Sequence, residues 1–184
     1  MSEILKETEQ KMKHAVEVTA HEFQRVRTGR ANPIILEKVM VDYYGTETPI
    51  NQVANISIPE PRQLLIQPYE KSMMGAIEKA ILKSDLNLTP NNDGTGIRLT
   101  FPPMTEDRRK EMIKQVNALA EEGCVHIRNV RRHANDHLKG QLKNKEISED
   151  DEKGLEKKVQ ELTDKYIAQV HEIQKKKDQE LMEI

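Results

Sequence analysis

Three arginines in the segment Arg128-Asn129-Val130-Arg131-Arg132 carry the clearest chemistry in the sequence. At 3.6 residues per turn, Arg128, Arg131 and Arg132 share one face of a helix, which Asn135 and Lys139 extend. A guanidinium group donates paired hydrogen bonds and therefore suits phosphate oxygens. No acidic residue stands four positions from Arg128 or Arg131, which predicts unpaired positive charge. This face either binds a phosphate backbone through counterion release or simply faces solvent.

Three other groups of polar residues do not predict an active site. His133 and His137 are one helical turn apart, but the sequence suggests no third ligand for zinc. Cys124 and His126 are two residues apart and point in different directions on a helix, which favours a buried structural cysteine. The carboxylates of residues 149–152 are consecutive and cannot form an apposed acid and base. We expect no catalytic residue, no metal and no cofactor.

The distribution of charge points to a negatively charged partner for one segment only. The chain of 184 residues has a net charge of −2. From Arg108 to Lys145 there are ten Lys or Arg and four Asp or Glu, so this segment carries +6 and the remainder −8. Hydrophobic content of 36% and aromatic content of 3% are low for a compact domain. They favour an elongated helical body with a thin apolar seam.

The sequence also predicts where the protein resides. Residues 1–10 alternate charges where a signal peptide needs an apolar region, and no run of apolar residues is long enough to span a membrane. The single cysteine excludes an intrachain disulfide and suits a reducing compartment. We expect a soluble, cytoplasmic monomer with no membrane partner.

The placement of proline divides the chain into domains. All eight prolines lie between Pro33 and Pro103, and proline disrupts helix interiors. The pattern predicts an α+β protein in which residues 1–30 and 104–184 form an elongated antiparallel three-helix bundle. A small β/α/β domain, residues 31–103, is inserted between the first and second long helices.

The first long helix is predicted over Glu3–Thr28, with Gly29 as the residue that ends it in a left-handed conformation. Three basic residues gather near this end, where the negative pole of the helix dipole favours cations; they are Arg25, Arg27 and Arg30.

The second and third long helices follow the insert. The second is predicted from Thr105, as N-cap, to Lys143, with a possible bend near Gly123. Its apolar stripe comprises Ile113, Val116, Ala120, Ile127, Val130 and Ala134. Ser148 and Asp151 resemble a capping box that starts the third helix, which runs almost to the C-terminus parallel to the first.

The insert alternates strands with one helix. Period-two patterns and turn residues predict four strands, Ile34–Tyr44, Asn55–Ile58, Gln63–Gln67 and Ile97–Phe101, and a helix over Ser72–Lys83. Two connections join this insert to the bundle, so its motion should be a restricted swing. The predicted hinge residues are Arg30, Ala31, Asn32, Pro33, Pro102, Pro103 and Met104.

Five segments of the sequence resemble, in order and spacing, the motifs of the bacterial ribosome recycling factor family. They are residues 27–31 (RTGRA), 41–45 (VDYYG), 102–110 (PPMTEDRRK), 128–132 (RNVRR) and 145–151 (KEISEDD). The resemblance covers essentially the whole chain. It implies an L-shaped protein with a three-helix bundle and a small β/α/β domain between helices 1 and 2.

The resemblance also implies a function in translation. Such a factor binds the post-termination ribosome and, with elongation factor G and GTP, separates the subunits and releases the mRNA. GTP hydrolysis belongs to the partner, so this is not an enzyme. By analogy, large-subunit ribosomal RNA would contact Arg128, Arg131 and Arg132, with Arg27 and Arg30, and the insert would face elongation factor G. The alternatives are a helical protein-interaction or chaperone module with a solvated arginine face and, less favoured, a small metal-dependent enzyme.

One departure from the family pattern generates a prediction. His133 stands where the family commonly has an acidic residue, and His137 where lysine is frequent. Protonated His133 would add positive charge beside the arginine face, so RNA should bind more tightly at pH 6 than at pH 8. Binding of the wild type and His133→Gln is compared at both pH values; the same pH dependence in both proteins would contradict the prediction.

Overall fold

The structure is a computed structural model that describes residues 2–183, which form two compact units. The inserted unit comprises Arg27–Thr105, and the helical unit comprises the described residues up to Val26 and from Glu106 onward. These boundaries differ from the sequence-derived ones at 30/31 and 103/104. The division into domains at the sequence-derived bounds stays a prediction.

The secondary structure of residues 2–183 consists of long helices and a region of short strands. Long helices at both ends flank a region of short strands, as the proline distribution predicted. The elements are α1 Glu3–Gln24, β1 Met40–Tyr43, β2 Thr46–Pro49, α2 Ile50–Val53, β3 Ala54–Glu60, β4 Gln63–Pro68, α3 Met74–Lys83, β5 Pro90–Asn92, β6 Ile97–Thr100, α4 Glu106–Lys143 and α5 Glu149–Met182, with 3₁₀ turns at Pro33–Leu36 and Lys71–Met73. None of the helices within 2–183 is both long and apolar enough to cross a membrane.

The helical unit is an antiparallel bundle of α1, α4 and α5. Gln174 donates to Asn117 across 2.5 Å, and Arg131 donates to Gln160 across 3.3 Å. Because the residue number rises along α4 as it falls along α5, these two helices are antiparallel. The predicted α+β class and three-helix bundle are confirmed.

A seam of buried side chains holds the three helices together. Each helix buries residues three and four apart, as an amphipathic helix must. On α4 the buried stripe includes Met112 and Cys124, whereas the predicted stripe residues Ile113 and Val130 are only half-buried. The largest fully buried side chains of the helical unit are Phe23, Met12, Ile127, Leu138 and Leu181.

The helix ends show which local signals the sequence contained. The Ser148 hydroxyl accepts from Asp151 N at 3.1 Å, and the Asp151 carboxylate accepts from Ser148 N at 3.2 Å, so the predicted capping box is present. These hydrogen bonds lower the pKa of the Asp151 carboxyl below its usual value. Helix α1 ends at Gln24, earlier than the predicted Thr28. Gly29 does have a φ of +84°, but it lies in the connecting segment.

The inserted unit contains two antiparallel sheets. Strands β1 and β2 form a hairpin, and the four-stranded sheet has the order β3-β4-β6-β5. Alternate residues of the central strands point into one core with helix α3, as a half-buried strand requires. The fully buried members are Val41, Ile50, Leu64, Ile66, Ile77, Ile97 and Leu99.

Part of the strand prediction was wrong. Residues 34–36 belong to a 3₁₀ turn and not to a strand, because the Asn32 side chain accepts from Ile34 N at 3.1 Å and Pro33 occupies the first turn position. Strands β2 and β5 were missed. The first, Thr46–Pro49, has no apolar alternation, and the second, Pro90–Asn92, is a three-residue edge strand that begins with proline.

The close approach of α1 and α4 at Gly123 generates a stability prediction. A methyl carbon added at Gly123 would overlap the Thr19 hydroxyl and lie 3.1 Å from Thr19 Cγ2. We expect Gly123→Ala to lower the free energy of unfolding by about 1–3 kcal/mol, the range for overpacking. Urea denaturation measures the change.

The matched control for this substitution lies on the same helix. Gly140 has no atom within 4 Å of an added methyl carbon. Gly140→Ala should therefore stabilise the protein by about 0.5–1 kcal/mol through helix propensity. Thr19→Ala in the Gly123→Ala background should restore part of the loss. Equal stabilisation by both glycine substitutions would contradict the close packing.

The loop between β5 and β6 generates a pH prediction. The Asp93 carboxylate accepts hydrogen bonds from Arg98 at 2.6 Å, from Thr95 and from Gly96 N. These partners lower the pKa of Asp93 far below its usual value. The carboxylate therefore stabilises the folded state above the unfolded-state pKa, and the stabilisation is lost as the pH falls through the folded-state pKa.

Asp93→Asn removes this charge and retains the shape of the side chain. We expect the variant to be less stable than the wild type at pH 7, and the difference to shrink as the pH falls below about 4. Urea unfolding at pH 7, 5 and 3 measures it. Asp85→Asn removes an exposed carboxylate from the same unit and should show no such difference. A gap as large at pH 3 as at pH 7 would contradict the assignment, because the decrease begins near the unfolded-state pKa and is complete only below the folded-state pKa.

Candidate nucleic-acid interface

The three arginines of the predicted phosphate face lie in the middle of α4. The helix buries Cys124, Ile127 and Ala134 against its neighbours. Helical spacing therefore places Arg131 at the edge of this buried stripe and turns Arg128 and Arg132 away from it. Arg128 and Arg131 are half-buried and Arg132 is exposed. The structure thus places all three on one helix, with Arg132 at the surface and the other two partly covered.

Arg128 has an acidic partner that the sequence analysis missed. Its Nη2 atom lies 2.9 Å from Glu121 Oε1. Only residues four positions away were considered, whereas Glu121 is seven positions away, two helical turns along the same face. The prediction that this arginine is unpaired was wrong. The Glu121 side chain is 66% exposed, so the ion pair is weak enough to exchange for a stronger anion.

Neither Arg131 nor Arg132 is paired with an acidic side chain within residues 2–183. Arg131 Nη1 donates to the neutral carbonyl oxygen of Gln160 on α5 across 3.3 Å, and Gln160 in turn donates to Asp164 across 2.9 Å. Within residues 2–183, the Arg132 side chain makes no hydrogen bond or ion pair. The sequence predicted the antiparallel bundle but not that α5 borders this face, because the register of the two helices is a tertiary feature.

The two residues that extend the face differ in exposure. Lys139 is exposed, while Asn135 is half-buried and its Oδ1 atom has no hydrogen-bond partner. The face therefore combines guanidinium, ammonium and amide groups over three turns of α4. Such groups contact phosphate oxygens without reading a base sequence.

A groove on the α1 side of α4 adds polar residues that sequence reasoning did not connect. It has a volume of about 760 Å³ and is lined by His14 from α1 and by His126, Asn129 and His133 from α4. On its rim the Lys11 ammonium lies 2.8 Å from Glu7 and lowers the pKa of that carboxyl. His133 therefore shares a groove with His14 and His126, in addition to its place beside the arginines on α4.

Neither histidines nor cysteine form a reactive centre in the described part of the chain. Among residues 2–183, no three or more His, Cys, Asp or Glu side chains converge in a way that could hold a metal ion. Cys124 is buried, as predicted, and burial raises the pKa of its thiol. A thiol in this state is a poor nucleophile.

The two remaining candidate arginines lie in the inserted unit. Arg27 donates a hydrogen bond to the carbonyl oxygen of Leu86, and Arg30 is exposed. Both lie beyond the end of α1 at Gln24, so the helix-dipole explanation for their position was wrong. It applies only to Arg25, which caps this helix.

Comparison with known proteins places this geometry in a family. A family model described as ribosome recycling factor matches residues 19–182. The chain belongs to the ribosome recycling factor family. The family resemblance and the function that it implies are confirmed: members are translation factors without enzymatic activity.

Curated relatives of this family match over their full length. A ribosome-recycling factor from Carboxydothermus hydrogenoformans is 54% identical over 184 residues, which is 100% of both chains. One from Bacillus cereus is 53% identical over 182 residues, covering 99% of this chain and 98% of the relative.

Two solved structures match as well. A solution structure of the ribosome recycling factor matches with a TM-score of 0.78 and 40% identity over 100% of both chains. A model of the T. thermophilus ribosome recycling factor, bound with E. coli elongation factor G to the E. coli post-termination complex, matches with a TM-score of 0.66. It is 43% identical and covers 98% of this chain and 99% of that one.

Proposed function

We propose that this chain binds the post-termination ribosome and, with elongation factor G and GTP, promotes dissociation of the subunits and release from mRNA. Family membership supports the proposal, and so does the similar chain bound with elongation factor G to a post-termination complex. The GTP is hydrolysed by the partner. The factor would act as a monomer in the cytoplasm.

The α4 arginine face carries the ribosomal RNA part of this proposal. Its strongest support is that Arg131 contacts only a neutral amide and that Arg132 has no partner within residues 2–183. Both guanidinium groups can therefore bind phosphate without first breaking an ion pair. Arg128 would exchange Glu121 for a phosphate at small cost, because exposed pairs contribute about 0–1 kcal/mol.

Two arginines of the inserted unit are further candidates for contact with ribosomal RNA. Arg30 is exposed and suits a phosphate contact. Arg27 is held by the Leu86 carbonyl, and its contact with ribosomal RNA stays a prediction. We further propose that the inserted unit faces elongation factor G.

The proposed hinge comprises residues 30–33 and 102–104. Ala31 N donates to Pro61 O at 2.8 Å, and Phe101 N donates to Arg62 O at 2.7 Å, so the β3–β4 turn holds both connections where they enter the inserted unit. Anchors of this kind would restrict bending to the residues around them. Pro33, Pro102 and Pro103 further limit backbone rotation there.

Salt-dependent binding to ribosomes tests the proposed role of the arginines. Vacant ribosomes are co-sedimented with the wild type and with Arg131→Ala across a salt series. We expect binding that weakens with salt, and a loss of about 1.5–3 kcal/mol in the variant, the range for a hydrogen bond to a charged group. The slope of log affinity against log salt should fall by about 0.7–0.9.

The matched control is Lys114→Ala, which removes one exposed positive charge from the same helix. It should bind nearly as well as the wild type. Equal weakening by both substitutions would indicate a response to net charge and contradict an anchoring role for Arg131. Absence of any binding by the wild type would contradict the proposed function and favour a helical protein-interaction module.

A further inference from the structure

A cluster of tyrosines on the inserted unit is not explained by RNA binding. Three of the four tyrosines in the chain lie near Glu70: Tyr43 and Tyr44 contact its carboxylate, and Tyr69, the preceding residue, lines the same depression. The Tyr43 hydroxyl donates to Glu70 Oε1 at 2.9 Å, and the Tyr44 hydroxyl donates to Oε2 at 2.8 Å. We call these four residues the tyrosine–Glu70 patch.

The patch is open to solvent. Tyr44 is 76% exposed and Tyr69 is 70% exposed, in a chain with 3% aromatic residues. The rings of Tyr43 and Tyr44 meet edge to face, with centroids 4.6 Å apart and an interplanar angle of 72°. Tyr43, Tyr69 and Glu70 line a depression of about 340 Å³ beside Tyr44. Exposed tyrosines of this kind are typical of protein-binding surfaces.

The backbone at Tyr44 shows that folding does not favour a tyrosine there. Tyr44 and Gly45 form the two-residue loop of the β1–β2 hairpin, with φ values of +50° and +84°. These values are typical of a type I′ turn, in which asparagine or glycine is preferred at the first position. A bulky side chain with positive φ is strained. Because the Tyr44 ring gains little burial in return, the fold alone does not explain this residue.

The negative charge of Glu70 makes the tyrosine–Glu70 patch suitable for a cationic ligand. Glu70 is exposed and forms no ion pair within residues 2–183. A carboxylate can accept about four hydrogen bonds, and here two come from the tyrosine hydroxyls. Hydrogen bonding to this carboxylate raises the pKa of both phenols, so the tyrosines stay neutral and their ring faces remain attractive to cations.

Arginine fits the patch better than other cations or anions do. Its planar guanidinium can donate to a carboxylate while it stacks on an aromatic ring. A phosphate group would be repelled by Glu70, and a lysine ammonium cannot stack as a plane. We propose that the tyrosine–Glu70 patch is a docking site for an arginine side chain presented by a protein partner.

A direct binding experiment tests this inference without ribosomes. The ¹⁵N-labelled full chain is titrated with an acetylated and amidated glycine peptide that carries two arginines, and with matched peptides that carry lysine or glutamine. We expect saturable NMR shifts centred on residues 43–44 and 69–70. The arginine peptide should bind several-fold more tightly than the lysine peptide.

Two substitutions separate binding from folding. Glu70→Gln should weaken binding of the arginine peptide by about tenfold, the effect of losing a charge-assisted hydrogen bond. Tyr44→Asn places a favoured residue in the hairpin turn, so the melting temperature should stay the same or rise. Binding should nevertheless weaken by about threefold to tenfold, because the stacking ring is lost.

Glu60→Gln is the matched control, since it removes one exposed carboxylate from the same unit. It should leave peptide binding unchanged, as should Arg131→Ala, which tests the separate role of α4. Equal binding of the lysine and arginine peptides, or equal weakening by Glu60→Gln and Glu70→Gln, would overturn the inference. Shifts centred on the patch with a single-stranded RNA oligomer, but not with the arginine peptide, would overturn it as well.

Discussion

Burial of one narrow stripe of α4 against α1 and α5 determines the direction of every other side chain on that helix. The helix period of 3.6 residues leaves no independent choice: once Ile127 and Ala134 are buried, Arg131 lies at the edge of the buried stripe. Arg128 and Arg132 turn further toward the surface. At Gly123 the absence of a side chain lets α4 approach Thr19 of α1 closely. Tight packing of the bundle therefore gives the arginines a rigid support.

The contacts that the arginines make within the protein are weak enough to be exchanged for an external anion. Glu121, the acidic partner of Arg128, is largely exposed, and Arg131 contacts a neutral amide. Contacts of this strength orient long side chains and cost little to replace. A phosphate-rich surface can therefore displace them, which agrees with membership of a family of ribosome-binding factors.

The inserted unit shows a different balance between folding and binding. Its core of aliphatic residues and the hydrogen bonds around Asp93 stabilise the fold. Tyr44, in contrast, occupies a strained turn position and gains little burial. Strain that the fold does not require is common at binding sites. The two units thus present chemically distinct surfaces, one rich in guanidinium groups and one that combines aromatic rings with a carboxylate.

Local signals in the sequence predicted much of the fold. The position of proline, the helical periodicity and the Ser148–Asp151 capping box are properties of neighbouring residues, so the bundle and the start of α5 followed directly from them. Edge strands such as β5 were not predicted, because three residues are too few to show an alternating pattern of apolar and polar residues. Residues 34–36 were misassigned because the hydrogen bond from Ile34 to Asn32 outweighed their apolar, strand-like composition.

The sequence by itself determined the family, the class of fold and the helix face that carries the arginines, since all three follow from motif order or from periodicity along one chain. Tertiary structure decided the partner of each charged group. Gln160 reaches Arg131 only because of the register in which α4 packs against α5. Glu70 reaches Tyr43 and Tyr44 only because the hairpin folds back toward residue 70. These contacts depend on distances in space between residues far apart in sequence, which no local pattern encodes.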